Sequence, residues 1–387
     1  MRKVYLDHMA NTPPDLRVID SVCGALSKTY GNPLNLHDFG ESTANLIDDS
    51  RSKVAALIGA QSKEIIFTSC GSESNNFAIK GIAKAYEKKG KHIISSTIEH
   101  FSVLYSLKDL EKEGFNITYV NVGSDGMINP DDVMAAITPQ TSLITITHAS
   151  NEIGTIEPVE KIGKIAKEKG IVFHVDGVQT IGTIPVNVTL LNADAITFSA
   201  NQFYGPTGVA ALYLRKGVRI LPYILGGTQE DGRRAGTNNI GGIAGFAKAS
   251  EIALAEMDDR IKKLIPLRDK LLTELPKTVP DFFVTGHLTN RLPNHASGCV
   301  KFIEGESMSM LLNMDGIAVS TGSACVSKAL KASHVLIAIG ISPENVHGSL
   351  VFSLGKDNLI EDVDYVIEKL PPIVKRLREM SPLSAKG

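Results

Sequence analysis

From about residue 60 to 215 the chain alternates short β-branched runs with longer amphipathic segments, and this alternation limits the possible folds more than any other feature. The runs are EIIFTS (64–69), KHIISS (91–96), NITYVNV (116–122), SLITIT (142–147), IVFHV (171–175), DAITFS (194–199) and GVAALYL (208–214). Between them lie segments such as NNFAIKGIAKAYEKKG and VEKIGKIAKEKG, each closed by a glycine suited to a helix C-terminus. Strands separated by helices predict an α/β domain whose mainly parallel sheet is covered on both faces. After GGTQEDGRRAGTNN a long helical pattern runs from Ile240 to Leu275, and the rhythm then changes. Strands are expected near 296–303, 317–321 and 349–354, with helices near 306–315, 332–339 and 360–380. This predicts a smaller C-terminal α+β domain, with the boundary inside the long helix around 255–265. The expected division is 13–260 for the large domain, and 1–12 with 261–387 for the small one.

Composition narrows the function classes. A formal net charge of −2 gives no basic field for nucleic acid or anionic lipid. No apolar stretch approaches a membrane span, and MRKVYLDHMANTPP lacks the apolar core of a signal peptide. A cytoplasmic protein with reduced thiols is expected. Its four cysteines, Cys23, Cys70, Cys299 and Cys325, are widely spaced without a CxxC pair, which argues against a disulfide framework and a local zinc site. Cys23 and Cys299 read as buried hydrophobes.

Open α/β sheets bind ligands at the carboxyl ends of their strands, and polar residues gather there. IIFTS leads through Cys70-Gly71-Ser72 straight into a helix, a turn that presents free N–H groups to a phosphate. Ser72 is equally an ordinary N-cap. SLITIT leads to His148 and Asn151-Glu152-Ile153-Gly154, IVFHV to Asp176 and Gln179, and DAITFS to Ser199-Ala200-Asn201-Gln202. Singly, each is more readily a turn or cap residue. Four successive strand ends so equipped favour a cofactor site.

VYLDHMANTP, YGNPLNLH, FTSCGSESNNFAIKG, STIEH, SNEIG, HVDGVQT, FYGPTGVAALYLRKG, RRAGT and VSTGSAC follow in order along almost the whole chain. Together they resemble the NifS/IscS-type cysteine desulfurases, of fold-type I in the class V aminotransferase branch. The resemblance implies a homodimer that uses pyridoxal phosphate to move sulfur from L-cysteine onto an enzyme cysteine as a persulfide, and then to a scaffold protein. It implies that Gly71 and Ser72 cradle the cofactor phosphate, with Ser199, and with Thr237 from the other subunit. His100 would stack on the ring, Asp176 pair with its nitrogen, Gln179 bond its phenolic oxygen, and Asn151 lie near the substrate. Cys325 matches the persulfide cysteine. Small residues before it and Lys328 and Lys331 after it suit a reactive thiol on a mobile loop.

Three positions depart from the family pattern. Where the family has Ser-Gly-His-Lys, this chain has Ser199-Ala200-Asn201-Gln202. The Schiff-base lysine is thus Gln202, and the histidine that assists proton transfer is Asn201. The arginine that clamps the substrate carboxylate is Val351. Acid–base catalysis alone is commonly worth about 10²–10⁴-fold, and the lost carboxylate clamp roughly 1.5–3 kcal/mol. Cys70 also stands where the family usually has glycine.

The leading expectation is a desulfurase-family protein of iron–sulfur cluster assembly without lysine-based chemistry, holding any pyridoxal phosphate non-covalently. Through Cys325 it would carry sulfur, from inorganic sulfide or another donor, or ligate a nascent iron–sulfur cluster shared with a scaffold protein. The first alternative is an active pyridoxal phosphate-dependent desulfurase; the second is a non-catalytic partner subunit. A tRNA-dependent cysteine synthase of the same fold would need the same lysine and has no basic-patch support.

Overall fold

The structure is a computed structural model that describes residues 2–322 and 332–380. Among the described residues the strands are β1 (Val4–Leu6), β2 (Ile65–Thr68), β3 (His92–Ser96), β4 (Asn116–Val120), β5 (Thr141–Thr147), β6 (Val172–Asp176), β7 (Ala195–Ser199), β8 (Ala210–Leu214), β9 (Phe282–Val284), β10 (His295–Val300), β11 (Ile317–Val319) and β12 (Ser349–Ser353). The seven runs of the first half all become strands of one sheet, ordered β2-β8-β7-β6-β5-β3-β4. Only β8 runs against its neighbours, so the carboxyl ends of the other six share one edge.

The central strands are buried on both faces, which is why they read as continuous apolar runs without alternation. The polar exceptions are paired. His174, in the middle of β6, bonds Thr145 Oγ1 at 2.8 Å and Thr197 Oγ1 at 3.0 Å on the flanking strands. Burial drives its pKa down to about 3, which keeps it a neutral rung between strands.

The helix Ile240–Thr278 has 39 residues, about 58 Å at 1.5 Å per residue. Its buried side chains up to Met257 pack into the core beneath the large sheet. From Leu264 onward they pack into a second core with β1, β10, β11, β12 and the helices Gly305–Met314 and Ile360–Met380. In that second part β1 pairs in parallel with β11, and β12, β10 and β9 form an antiparallel sheet. Isolated bridges Asp7–Ser353 and Ser320–Val351 bring the two small sheets together. The sequence pattern passed over β1 and β9, each only three residues long. It also extended the 296–303 strand too far: β10 ends at Val300, and Phe302 turns into positive φ (65°).

Candidate active site

The shared strand-end edge opens into a cavity of about 490 Å³ that also reaches β12 and the start of the chain. Gly71, Ser72, His100, Asn151, Asp176, Gln179, Ser199, Asn201, Gln202 and Val351 all line it, although they span 281 positions, 71 to 351. Ala200 is fully buried beneath the turn and does not line the cavity, while Thr237 is exposed on the 226–239 loop away from it. Cys325, with Lys328 and Lys331, lies outside the described residues. His148 is a structural residue: it is buried, bonded to Thr180 Oγ1 at 3.0 Å, and held neutral by burial, which lowers its pKa to about 4.

The turn after β2 is fixed before any ligand arrives. Cys70 is the N-cap of the helix Gly71–Ala85, its sulfur accepting from Glu73 N at 3.4 Å. A thiol therefore does here what a hydroxyl or carboxylate does at most N-caps. Glu73 in turn accepts from Ser69 N at 2.8 Å and from Arg234 Nε at 2.8 Å. A Cβ on Gly71 would lie 2.8 Å from Val178 Cγ2, so a larger residue would push the helix start away from the end of β6. The first turn is left with Ser72 exposed at the mouth of the cavity, a position suited to an anion.

The floor is a relay of neutral hydrogen bonds. Asp176, at the end of β6, accepts from Val178 N at 3.1 Å and from Asn75 Nδ2 at 2.7 Å. Asn75 Nδ2 also donates to Ser102 Oγ at 2.8 Å, and Ser102 Oγ lies 2.8 Å from His100 Nδ1. Because His100 Nδ1 also accepts from Ser102 N at 3.1 Å, its neutral form carries the ring proton on Nε2. Burial raises the pKa of Asp176, with the nearby His100 pulling the other way. A buried carboxyl whose direct partners are neutral donors is suited to a protonated ring nitrogen.

The opposite wall is the turn after β7. Thr12 pins it, its N–H and hydroxyl both donating to Asn201 O at 3.0 and 2.8 Å. Asn201 Oδ1 accepts from Ser199 Oγ at 2.6 Å, and Asn201 Nδ2 donates to Asn11 Oδ1 at 3.1 Å. In this arrangement the Ser199 proton is committed to Asn201. Gln202 is half-buried on the lining, and Val351 closes the far end with an apolar side chain.

Three further lining carboxyls received no role in the sequence reading, although all lie inside quoted motifs: Asp7 in VYLDHMANTP, Glu99 in STIEH and Glu152 in SNEIG. Glu99 is fully buried; its Oε1 accepts from Ser96 Oγ at 2.6 Å and Thr147 N at 3.1 Å, and burial pushes its pKa up to about 8. Glu152 Oε2 accepts from Ser333 Oγ at 2.5 Å, and desolvation raises its pKa to about 7. Their signal was only an acid beside a histidine or an asparagine, which pattern alone cannot tell from a cap.

Of the other cysteines, Cys299 is buried as expected, with its thiol pKa pushed up to about 12. Cys23 is exposed, against expectation. On the helix Leu16–Lys28 the fully buried positions are Val18 and Ala25, and residue 23 falls on the solvent face.

Comparison with known proteins places this geometry. The family model described as aminotransferase class-V matches residues 4–366. A cysteine desulfurase IscS of Dictyoglomus turgidum is 49% identical over 381 residues, covering 98% of this chain and 97% of that protein. One of Methanosarcina thermophila is 48% identical over 385 residues, covering 100% and 95%. A solved NifS-like protein superposes with a TM-score of 0.91 at 39% identity, covering 97% of this chain and 100% of that one. The chain belongs to the NifS/IscS-type cysteine desulfurases of the class V aminotransferase family, whose cofactor is pyridoxal phosphate. The residues present fit its phosphate and ring: a helix N-terminus, His100, and a buried Asp176. None of the described lining residues is a lysine.

Proposed function

We propose that this chain is a desulfurase-family protein of iron–sulfur cluster assembly that has given up lysine-based chemistry and acts through Cys325, carrying sulfur or ligating a nascent cluster with a scaffold protein. The observation that carries the reading is the lining itself, which keeps the non-covalent cradle but presents Gln202 and Val351 where the resemblance expects a lysine and an arginine. An amide has no proton to exchange in the useful pH range, and an isopropyl group cannot hold a carboxylate.

Bound pyridoxal phosphate would supply an electron sink through its ring nitrogen. In this reading Asp176 would hold that nitrogen's proton, and the helix start at Gly71 and Ser72 would bind the phosphate. His100 would cover the ring, Gln179 would reach the phenolic oxygen, and Asn151 would lie beside the substrate. Thr237 would complete the phosphate site from the other subunit. Exposed Leu26, Tyr30, Leu34, Leu36 and Phe39 supply an apolar surface for the homodimer this requires. We extend the proposal to domain organisation, with 13–260 as the large domain and 1–12 with 261–387 as the small one; the change of core between Met257 and Leu264 supports it. Among the described residues no helix is long and apolar enough to cross a membrane.

The test is sulfide release from L-cysteine with added pyridoxal phosphate, recorded with the visible absorbance of the protein. Wild type is expected to be silent, and Gln202→Lys to gain a cofactor band. In parallel, Cys325→Ser is expected to abolish cluster assembly on the scaffold. Cys325-dependent sulfide release by wild type would establish the active desulfurase instead, and unchanged assembly with Cys325→Ser would establish the structural subunit.

A further inference from the structure

The C-terminal part of the chain grips two strand-end loops of the large sheet beside the cavity. The helix His334–Ala338 and Ile339 pack Val335, Leu336 and Ile339 with Ile98 and Ile153 in a small apolar cluster. Ile98 directly precedes Glu99 and His100, and Ile153 directly follows Asn151 and Glu152. The two residues at the helix start bond the same two loops. His334 Nε2 donates to Glu99 O at 2.9 Å, and its ring centroid lies 5.0 Å from that of Phe101. Ser333 caps the helix, accepting from Leu336 N at 3.1 Å, and donates to Glu152 Oε2 at 2.5 Å.

The same carboxyl oxygen is approached from a second side. β12 fixes Ser320 through Ser320 N to Val351 O at 3.2 Å and Val351 N to Ser320 O at 2.9 Å, and it fixes Gly322 through Gly322 N to Ser349 Oγ at 3.0 Å. A Cβ on Gly322 would lie 3.0 Å from Glu152 Oε2 and 3.4 Å from Leu336 Cδ1. Gly322 and Ser333 stand on either side of residues 323–331, the stretch that includes Cys325. The chain therefore leaves Glu152 at Gly322 and is back at Glu152 by Ser333. Burying a carboxyl at this point costs desolvation, which raises its pKa to about 7. An apolar side chain would fill the position at less cost, but it would leave Ser333 without its acceptor.

We propose that Glu152 is a positioning residue for Cys325: by holding both ends of the segment that carries the thiol, it ties that thiol to the loop bearing Asn151. Gly322, Glu152 and His334 all line the cavity, so the tie is made at the site itself. The inference rests on the reading that Cys325 is the working thiol, and it adds what sets its place. A carboxyl accepts from a hydroxyl whether or not it is ionised, so glutamine keeps the acceptor and alanine removes it.

Tryptic cleavage of the native full chain after Lys328 and Lys331, followed by mass spectrometry, tests it, because a protease needs its site locally opened. Glu152→Ala and Ser333→Ala are each expected to speed cleavage there at least about fivefold, the effect of losing one hydrogen bond. The double variant is expected to stay within about twofold of the faster single one, because both remove one shared contact. Glu152→Gln is expected to stay near the wild-type rate. Under the same conditions iodoacetamide labelling of Cys325 is expected to rise in Glu152→Ala and return in Glu152→Gln, while labelling of Cys70 does not change. A general loosening of the fold would raise both thiols together and would not be rescued by glutamine. Should Glu152→Ala not fold, Glu152→Leu fills the space without an acceptor and carries the same expectation. Wild-type cleavage and labelling in the alanine or leucine variant, or glutamine behaving as alanine does, overturns the inference. The two readings fail separately. If Cys325→Ser leaves cluster assembly unchanged while Glu152→Ala frees the segment, the proposed function falls and the tie stands. The converse result keeps the function and removes Glu152 from it.

Discussion

The two walls of the cavity are built on different principles. Along the ends of β2, β3 and β6, each polar group is fixed by another: Glu73 by Arg234, Asp176 by Asn75, Asn75 by Ser102, Ser102 by His100. Along the turn after β7 and on β12, the polar groups are neutral hydroxyls and amides bonded to one another and to Asn11 and Thr12, or are absent, as with the apolar Val351. The first wall can hold a ligand in a set geometry. The second contributes shape but no charge. Holding and reacting are therefore separable in this fold, because they sit on different strands and are fixed by different contacts.

The largest expected effect lies behind the first wall. Glu230, on the loop 226–239, accepts from Arg51 Nη2 at 2.9 Å and from Phe67 N of β2 at 3.0 Å, with both partners of the ion pair largely buried. Glu230→Ala leaves a buried guanidinium and a strand N–H without their acceptor, and is expected to cost about 3–5 kcal/mol in denaturant unfolding. An unchanged midpoint would mean that the wall's rigidity comes from elsewhere.

The next effect sets the walls directly against each other. Asp176→Ala is expected to weaken pyridoxal phosphate binding by about 2 kcal/mol or more, roughly thirtyfold, because a charged partner is removed from a buried site. Val351→Ala is expected to change it by less than about threefold, since a shortened apolar side chain on the far wall loses only a little contact. Fluorescence titration of both variants measures the ratio. Equal losses would erase the distinction between the walls.

How much of this was legible beforehand follows from the kind of information each feature carries. Six of the seven strands of the large sheet are buried throughout and read as short runs rich in apolar residues, while the edge strand β4, only partly buried, reads from its β-branched Ile117, Thr118 and Val120. β1 and β9 were not readable, since three residues show no period and owe their pairing to β11 and β10 far along the chain. Asp176 and Asn151 were readable as strand-end residues, and His100 only through the family resemblance. The relay through Asn75 and Ser102 was not, because it joins a helix start to a strand end 101 positions away, which only the folded chain brings within 2.7 Å. Cys70 was visible as an oddity next to Gly71, but its capping role needed the backbone direction of Glu73. Cys23 was misplaced because residue type alone does not say which face of a helix meets the core.

The smallest effect sharpens what burial does on the first wall. Burial pushes the Glu99 carboxyl from its ordinary pKa of 4.5 up to about 8. Between those values the folded chain keeps a proton that the unfolded chain has released, so this group makes stability fall as pH rises, and its contribution levels off above about 8. Glu99→Gln removes the titrating proton while keeping an acceptor for Ser96 and Thr147. The stability of the variant should therefore decline less steeply than wild type between pH 7 and 8, by about 1 kcal/mol per pH unit, within the limit of 1.36 kcal/mol set by one proton. That window avoids the buried histidines His148 and His174, whose lowered pKa values of about 4 and 3 make stability fall in the opposite direction, as pH drops below about 6.5. Glu157, whose pKa is raised mainly by burial and further by Glu99 itself, keeps the burial part of its slope in both proteins. Chemical denaturation at pH 7, 7.5 and 8 reads the change. Parallel slopes would show that water or a counter-charge reaches Glu99.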